Sequence, residues 1–387
     1  MIDRRTSAPE TLHIPVDARI ALVHDWLTGM RGGEKILEVL CELFPRAELF
    51  TLVHVPGSVS PAIEKLRIHR SFVSRLPRAG RWYRHYLPLF PTAVEQFNLD
   101  RFDFVLSTSH CAVKSVLKGS GGRHLCYCMT PMRYAWDQFD AYFGADRLGG
   151  VGSGLLRPVL GRLARWDAET SGRADRYVAI SQYVASRIRR YYNRQAGVIY
   201  PPVDTEFYRP DGTQPDGSAL IVSALVPYKR VDIAVEACRL AGTRLRVVGQ
   251  GPELPRLRRM AGPHVEFLGK LSDDEVRGCY RQASVTLLPG EEDFGIVPLE
   301  AHACGRPVVA LGRGGALETV IDGKTGVLVS DGSPGALAEG IARALRTPFE
   351  PAEIRRHAER FGRDRFAAEV ADMVSETFNA PSGAITW

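Results

Sequence analysis

The sequence has 387 residues, of which 45% are hydrophobic and 24% are charged. This balance is average for a globular protein and excludes the disordered and fibrous classes, while the length suits two domains of common size. The formal net charge of +6 comes almost wholly from arginine, so we expect anionic substrates or an acidic membrane surface as partners. No zinc-finger spacing or RNA-binding aromatic signature accompanies the charge, and nucleic acid is not an expected partner.

Seven cysteines lie in apolar stretches, and their odd number, without a C-x-x-C motif, predicts reduced and packed thiols in a cytoplasmic protein. The opening residues 1–18 carry charge but lack the apolar run of a signal peptide, and we expect them to be flexible. No stretch reaches the length of a transmembrane helix. Any membrane contact is therefore expected to be peripheral, at the inner face of the plasma membrane.

The first predicted element is a strand over residues 19–27, an almost continuous apolar run of the kind that is buried on both faces of a parallel sheet. It leads into a turn with Gly32 and Gly33 and then into a helix whose apolar residues recur at helical spacing. A strand, a glycine-rich turn and a helix form half of a Rossmann-like unit. The glycines either allow a tight turn or bring the helix start close to a ligand phosphate or sugar.

Four further strands are predicted in the first half, and the second and third of them end in polar residues at the edge where a parallel sheet binds its ligands. The second of them ends at His110, and the third is followed by Arg133, Tyr134 and Asp137. We expect these four side chains to reach a ligand crevice. The first three of these strands cover residues 47–54, 102–111 and 124–131, and the fourth follows a helix within residues 162–181.

Residues 67–91 form an unusual stretch in which arginines alternate with Trp, Tyr, Phe and Leu side chains. Basic groups beside large apolar side chains are typical of a segment that binds among anionic lipid headgroups. A solvated face over an ordinary core seam would give the same pattern, so both interpretations stay open. If an anionic membrane surface is a partner, we expect it to bind here.

The clearest domain boundary is the Pro-, Gly- and Ser-rich stretch over residues 198–218, which follows a helix predicted to have its N-cap at Ser181. The second half repeats the alternation of strands and helices, which implies a second parallel, doubly wound sheet. We therefore predict an N-terminal domain over residues 1–200 and a C-terminal domain over 201–365. A last helix in 366–387 is expected to pack back toward the first domain.

Two groups of candidate binding residues in the second half follow predicted strands. Lys229 and Arg230 come after a strand and next to a helix start, where two cations would neutralise a diphosphate. A surface Lys/Arg pair is the alternative. Gly249 and Gly251 follow the next strand and would let the backbone approach a base or a ribose.

The stretch over residues 289–305, PGEEDFGIVPLEAHACG, carries the carboxylates Glu292 and Glu300 on either side of a Phe-Gly turn. A strand ends just before it, so that Asp293 to Ile296 would offer backbone N–H groups at a helix start, a place that anions favour. Such a stretch suits a site that holds a polyol and a diphosphate together.

The same stretch carries a resemblance: EEDFGIVPLEAHACGRPVVA looks like the E-x7-E region of the retaining nucleotide-sugar glycosyltransferases of family GT4. The order of PYKR, VVGQGPE, E-x7-E and GGALE is similar to the second domain of that family. The segments HDWLTGMRGGEKILEVLCELFP and TPMRYAWDQF resemble its bacterial branch of O-antigen and exopolysaccharide mannosyltransferases. The resemblance covers nearly the whole chain.

The resemblance implies an α/β class fold of the GT-B type, in which two Rossmann-like, doubly wound parallel-sheet domains face a central cleft. By motif position, it implies that Glu300 holds the ribose hydroxyls and that Glu292 with the Phe294-Gly295 backbone holds hydroxyls of the transferred sugar. Lys229 would meet the diphosphate, and Gly33 would lie near the phosphates when the cleft closes. Family members usually need no metal, so no cofactor is expected beyond the nucleotide-sugar co-substrate.

We therefore predict an enzyme that moves a hexose, with mannose from GDP-mannose as the leading donor, to a polyprenyl-diphosphate-linked oligosaccharide in O-antigen or exopolysaccharide biosynthesis. The catalytic candidates are Glu292, Lys229 and His110, and the acceptor-side candidates are Asp25, Arg133 and Tyr134.

Two residues depart from the family pattern. Ala224 stands where many relatives carry an arginine, and Met129 stands where relatives commonly carry a histidine. Arg230 or Arg313 is a candidate to replace the missing cation. Two alternatives follow: a GT-B enzyme that uses a UDP-sugar, and a sugar-nucleotide-binding scaffold that has lost catalysis.

Overall fold

The computed structural model describes residues 12–132, 136 and 158–381. Arg133, Tyr134 and Asp137, which are expected near the ligand crevice, lie outside the described residues. Unit 2 is the continuous stretch Pro202–Arg363, whereas unit 1 combines the residues up to Pro201 with those from Asp364 onward. Each unit contains a parallel β-sheet with helices between its strands. The expected class, two α/β domains with parallel sheets, is confirmed.

The sheet of unit 1 is parallel throughout its described strands, which in chain order are β1 Ile20–Leu27, β2 Glu48–His54, β3 Arg67–Arg70, β4 Phe104–Ser109, β5 Arg123–Cys128, β6 Arg176–Ala179 and β7 Gly197–Val198. In space they follow the order β3-β2-β1-β4-β5-β6-β7, so the direction of winding reverses between β1 and β4. The sequence did not predict β3 and β7, which are short and form the two edges. Strand β1 is buried along its whole length, as its apolar run predicts.

The helices of this part of the chain are α1 Gly32–Leu43, α2 Pro61–Glu64, α3 Ala79–Trp82, α4 Phe90–Glu95, α5 described over 158–169, and α6 Gln182–Tyr192. Short 3-10 helices occur at Phe72–Arg75, Tyr83–Leu89, Val113–Ser115 and Thr170–Arg173. Helix α1 follows the glycine-rich turn, and its apolar residues Ile36, Leu37 and Leu40 are buried, which confirms the predicted strand-turn-helix unit.

The sheet of unit 2 is also parallel among its described strands, β8 Ala219–Val222, β9 Leu245–Val248, β10 Val265–Gly269, β11 Val285–Leu288, β12 Val308–Leu311 and β13 Gly326–Val329. Their spatial order is β10-β9-β8-β11-β12-β13, with the reversal between β8 and β11. The helices that follow are α7 Val231–Leu240, α8 Leu254–Met260, α9 Asp273–Gln282, α10 Ile296–Ala303, α11 Ala316–Thr319, α12 Pro334–Arg346 and α13 Pro351–Glu359.

Two helix starts follow directly from local sequence. The Ser181 hydroxyl accepts a hydrogen bond from the Val184 N–H at 3.0 Å, which confirms the predicted N-cap of α6. At α9 the Ser272 hydroxyl caps the Glu275 N–H, and the Glu275 carboxylate accepts the Ser272 N–H at 2.8 Å. Acidic side chains in the first turn of α9 also stabilise the helix, because they lie near the positive end of its dipole.

The last helix, α14 Arg363–Asn379, packs on the sheet of unit 1. The Phe366 ring lies 5.6 Å from Tyr127 of β5, between ring centroids, and Arg176 Nη1 donates to Glu376 Oε2 at 2.9 Å. The His13 N–H donates to the Ser375 hydroxyl at 2.9 Å. Residues at the start of the described chain therefore lie against its last helix.

The stretch over residues 67–91 has an inner and an outer face. Inside, Tyr83, Leu87 and Phe90 are buried, and the Tyr83 ring lies 4.7 Å from Trp26 of β1. Outside, the exposed side chains include Arg75, Arg78, Arg81, Trp82, Arg84 and Leu89. The stretch thus contributes to the core and also presents a cationic face with exposed apolar side chains.

All seven cysteines are buried free thiols, as predicted. Among the residues that the structure describes, no helix is both long and apolar enough to span a lipid bilayer.

A buried ion pair ties the segment after β4 to helix α5. Lys114 Nζ lies 3.0 Å from Asp167 Oδ1, and both side chains are almost fully shielded from water. The other oxygen, Asp167 Oδ2, accepts hydrogen bonds from Trp136 Nε1 at 2.9 Å and from the Tyr192 hydroxyl at 2.8 Å. Because a buried charge is costly unless it is paired and hydrogen-bonded, each of these partners depends on the others.

Replacing Lys114 by Met should therefore lower the free energy of unfolding by roughly 3–5 kcal/mol, since it leaves the Asp167 carboxylate buried without its cation. Urea unfolding followed by circular dichroism measures the change. Arg239→Met is the control, because the Arg239–Glu236 pair lies on the surface and its loss should not move the transition measurably. Equal effects of the two substitutions would contradict this account.

Candidate functional site

The loops after β8 and β11 lie side by side, because these strands are neighbours at the point where the winding of unit 2 reverses. Residues 223–230 follow β8, and residues 289–295 follow β11. In doubly wound sheets this edge is the usual ligand-binding crevice. Lys229 and Glu292, which the sequence places far apart, are brought together there.

The Lys229 ammonium contacts Glu292 Oε1 directly. The two side chains are 21% and 12% exposed, so water and salt screen this pair less than a surface pair. The backbone of Glu292 is also fixed, because its carbonyl oxygen accepts the Gly315 N–H at 2.8 Å. The crevice therefore holds an ammonium and a carboxylate side by side, each compensating the charge of the other.

Glycines let the loops of this crevice pack backbone against backbone. A Cβ atom on Gly249, Gly251 or Gly290 would lie 1.8, 2.2 or 2.5 Å, respectively, from a carbonyl oxygen of the segment that follows β8. No side chain fits at these distances, and Gly249 also has a φ of +135°. The structure thus supplies a packing reason for Gly249 and Gly251, for which the sequence predicts a close approach of the backbone to a base or a ribose.

Glu300 lies in α10 and is 6% exposed. Its Oε2 atom accepts a hydrogen bond from the hydroxyl of the buried Tyr280 at 2.9 Å. A second tyrosine, Tyr208, also lies near Glu300. Burial, and then the Glu300 carboxylate, raise the pKa of Tyr208, so its hydroxyl stays protonated. The Glu300 carboxylate is therefore held in one position by its buried surroundings.

The predicted helix start after the Phe-Gly turn is confirmed, since α10 begins at Ile296. Gly295 precedes it with a φ of +98°, a left-handed conformation that favours glycine. Asp293 and Phe294 are buried, and the Phe294 ring lies 5.9 Å from Phe361. The side chains of this turn thus anchor it to the core.

The other candidate cations lie differently. The Arg230 side chain is exposed, and its Nε atom donates to Asp232 Oδ1 of α7 at 3.2 Å. Arg313 is exposed in the turn after β12, and Ala224 is exposed after β8. Of the two cations predicted after β8, the structure brings Lys229 into contact with Glu292 and pairs Arg230 with an acid on its own helix.

In unit 1 the corresponding reversal lies between β1 and β4, and Asp25 is buried there. Its two carboxylate oxygens accept the backbone N–H groups of residues 110–113 at 2.7–3.1 Å. Burial raises the pKa of Asp25, while these N–H groups favour its charged form and oppose the rise. Asp25, an acceptor-side candidate, thus fixes the backbone that follows β4.

His110 lies in that loop and is partly exposed. Its Nδ1 atom is 3.2 Å from Asp25 Oδ2, and its ring meets Trp26 edge-on at 4.3 Å between centroids. A buried carboxylate and an indole ring therefore orient the imidazole at the carboxyl edge of the sheet.

His24 belongs to the same region and is not among the residues predicted from sequence, although a histidine within an apolar strand is a visible signal. It is fully buried, with Nδ1 2.7 Å from the Thr108 hydroxyl, and burial lowers its pKa to about 3. A Cβ on Gly33 would lie 3.1 Å from Met129 Sδ and 3.6 Å from His24 Cε1. The glycine-rich turn, Met129 and a neutral imidazole are therefore packed together.

Gly251→Ala should destabilise unit 2 by about 1–3 kcal/mol, because the added methyl group must push a carbonyl oxygen of the loop after β8 away. Thermal unfolding measures the loss. The control is Gly278→Ala within α9, where a Cβ has no neighbour within 4 Å and the change should stabilise the helix by roughly 0.5–1 kcal/mol. A Gly251→Ala variant as stable as the control would show that the loops are loosely packed.

Two families match the chain. Residues 30–207 match "Glycosyltransferase Family 4", and residues 205–365 match "Glycosyl transferases group 1".

Two relatives illustrate the similarity in sequence. The GDP-mannose-dependent alpha-(1-6)-phosphatidylinositol monomannoside mannosyltransferase of Mycolicibacterium smegmatis is 34% identical over 47% of this chain and 56% of its own length. The D-inositol 3-phosphate glycosyltransferase 2 of Catenulispora acidiphila is 32% identical over 53% of this chain and 56% of its own length. The chain spans about half the length of the curated relatives it matches.

A solved structure is similar over a longer range. Anabaena HepE in complex with UDP-glucose superposes with a TM-score of 0.69 and 18% identity, over 92% of this chain and 99% of its own. At this identity the likeness concerns the fold. This likeness shows that the chain has the two-domain GT-B fold of its glycosyltransferase neighbours. The two family matches, which together run from residue 30 to residue 365, show that the chain belongs to the GT4 family of glycosyltransferases.

Proposed function

We propose that this chain transfers a hexose from a nucleotide sugar, with mannose from GDP-mannose as the leading donor, to a lipid-linked oligosaccharide. The observation that carries the proposal is the contact between Lys229 and Glu292 at the carboxyl edge of the unit 2 sheet. An ammonium beside a carboxylate is complementary to a diphosphate beside a polyol. Glu300 adds a second fixed carboxylate on the helix that follows the same loop.

The proposed chemistry uses these groups in separate roles. When the glycosidic C–O bond breaks, negative charge grows on the leaving diphosphate, and the Lys229 ammonium stabilises it. Glu292 accepts hydrogen bonds from hydroxyls of the sugar and orients it, and Glu300 accepts those of the ribose. The departing diphosphate takes the proton of the acceptor hydroxyl, so no protein nucleophile is included. The cations of the proposal are side chains, and no metal ion or cofactor is included.

The choice of mannose is supported by the mycobacterial relative, whose name states dependence on GDP-mannose. A UDP-sugar is the alternative donor, supported by Anabaena HepE, which was solved with UDP-glucose. The acceptor proposal, a polyprenyl-diphosphate-linked oligosaccharide of O-antigen or exopolysaccharide synthesis, is supported by the sequence resemblance. On the acceptor side we propose that the oriented imidazole of His110 contacts the acceptor hydroxyl and that Asp25 positions His110.

We also propose that the outer face of residues 67–91 binds an anionic membrane surface, where a lipid-linked acceptor is available. No Asp or Glu lies between Glu64 and Glu95, so the exposed arginines of this face have no acidic neighbour in the local sequence. The Arg78 guanidinium lies 4.8 Å over the Trp82 ring, which is itself 39% exposed. Cations around exposed apolar side chains are complementary to anionic headgroups above a hydrocarbon layer.

Incubation with GDP-[14C]mannose and a membrane lipid extract should transfer label to the lipid fraction, which would also exclude the non-catalytic scaffold.

Glu300→Gln should raise the donor KM roughly 10- to 100-fold, because a hydrogen bond to a charged group is lost. Glu266→Gln, on the exposed edge strand β10, is the matched control and should keep the wild-type KM. If none of GDP, UDP and ADP raises the thermal stability of the wild-type chain, the proposal is wrong.

The full chain should bind vesicles that contain phosphatidylglycerol and should dissociate as salt is raised, since screening weakens surface electrostatics. Replacing both Arg78 and Arg81 by Glu should weaken binding at least tenfold, because each arginine contributes about 1 kcal/mol near such a surface. The control changes the same charge on unit 2, by replacing Arg258 and Arg259 of α8 with Glu. Vesicle flotation measures both, and equal losses would contradict a binding face on residues 67–91.

A further inference from the structure

The Lys229–Glu292 pair sets a condition on whichever ligand occupies the crevice of unit 2. Both side chains are partly buried, so a charge that loses its partner without a replacement is poorly solvated. A ligand that takes Lys229 must therefore also supply hydrogen bonds to Glu292, or it leaves that carboxylate uncompensated.

The two loops that carry the pair are fixed independently of it. A Cβ on Gly290 would lie 2.5 Å from the Tyr228 carbonyl oxygen, so the loop after β11 rests on the backbone that carries Lys229. On its other side, the Glu292 carbonyl oxygen accepts the Gly315 N–H. The side chains can therefore separate and pair again by changing rotamers, without a rearrangement of the loops.

The complete donor and the nucleoside diphosphate product differ in how they meet this condition. A nucleotide sugar offers phosphate oxygens to the Lys229 ammonium and sugar hydroxyls to the Glu292 carboxylate. A nucleoside diphosphate offers only the phosphate oxygens, and its negative charge faces a carboxylate that has lost its cation. The nucleotide sugar therefore replaces both interactions that are lost when the ion pair breaks, whereas the nucleoside diphosphate replaces only that of Lys229.

We infer that the Lys229–Glu292 ion pair makes the site select the intact nucleotide sugar over the nucleoside diphosphate, and that its re-formation helps to expel the product. This inference rests on the proposed function and adds a role for Glu292 beyond sugar contact. Glu292 acts against the product as well as for the donor, in the way that specificity often depends on an unfavourable interaction with the competing ligand.

The test is calorimetric titration of the full chain with GDP and with GDP-mannose, or with UDP and UDP-glucose if the chain binds uridine nucleotides. Glu292→Gln should bind the nucleoside diphosphate about tenfold more tightly than the wild type, because Lys229 can then contact the phosphates without breaking an ion pair with Glu292. The same variant should lose the preference for the nucleotide sugar. Circular dichroism checks that the variant is folded.

Two controls separate the ion pair from a general field effect. Glu291→Gln removes the same charge one residue away and should change the GDP affinity less than about twofold, whereas an equal gain in both variants would overturn the inference. In a Lys229→Met background, Glu292→Gln should tighten GDP binding much less than in the wild-type background, because only the repulsion between carboxylate and diphosphate is relieved and no ion pair has to be broken. A gain of the same size in both backgrounds would also overturn the inference.

The outcomes distinguish this inference from the function on which it rests. If the wild type binds nucleotide sugar but Glu292→Gln leaves the affinity for the nucleoside diphosphate unchanged or weaker, the ion-pair inference is wrong and the proposed function stands. If the wild type binds no nucleotide at all, both are wrong.

Discussion

Backbone contact between loops is the constraint on which the crevice of unit 2 depends. The segments after β8, β9 and β11 touch through glycines whose missing side chains leave room for a neighbouring carbonyl oxygen. The turn after β12 joins them in the same way, since a Cβ on Gly315 would lie 2.3 Å from the Phe294 Cα. Lys229 and Glu292 project from this packed backbone, so their mutual position is set by loop packing and not by their own attraction.

Unit 1 fixes the equivalent edge of its sheet by a different means. There a buried side chain, Asp25, binds four successive N–H groups of the loop after β4. A buried carboxylate is costly unless its oxygens are hydrogen-bonded, and these four donors satisfy that need while they determine the course of the backbone. His110 is carried on this backbone, so its orientation depends on a residue that has no exposed surface.

Much of this arrangement could be predicted from sequence, because it follows from local patterns. The apolar run of β1, the glycine-rich turn before α1, the alternation of strands and helices and the capping serines all act over a few residues. The edge strands β3 and β7 were missed because they are short and partly exposed, so they lack an apolar run. The packing of Gly251 and the four N–H partners of Asp25 were missed because both involve segments distant in sequence. His24 was missed for the same reason, because an apolar strand predicts that the residue is buried but not which distant segment packs against it.

The chain passes from unit 1 to unit 2 and returns at one place. The Val203 N–H donates to the Phe361 carbonyl oxygen at 2.8 Å, so the entry to unit 2 and its exit lie next to each other. Unit 2 is thus a continuous insertion, whereas unit 1 is completed by α14, whose Phe366 covers Tyr127. During synthesis on the ribosome, unit 2 emerges whole before the last helix of unit 1 does. Unit 1, although it is synthesised first, therefore finishes folding after unit 2. Until α14 has emerged, part of the sheet of unit 1 lacks the apolar side chains of that helix.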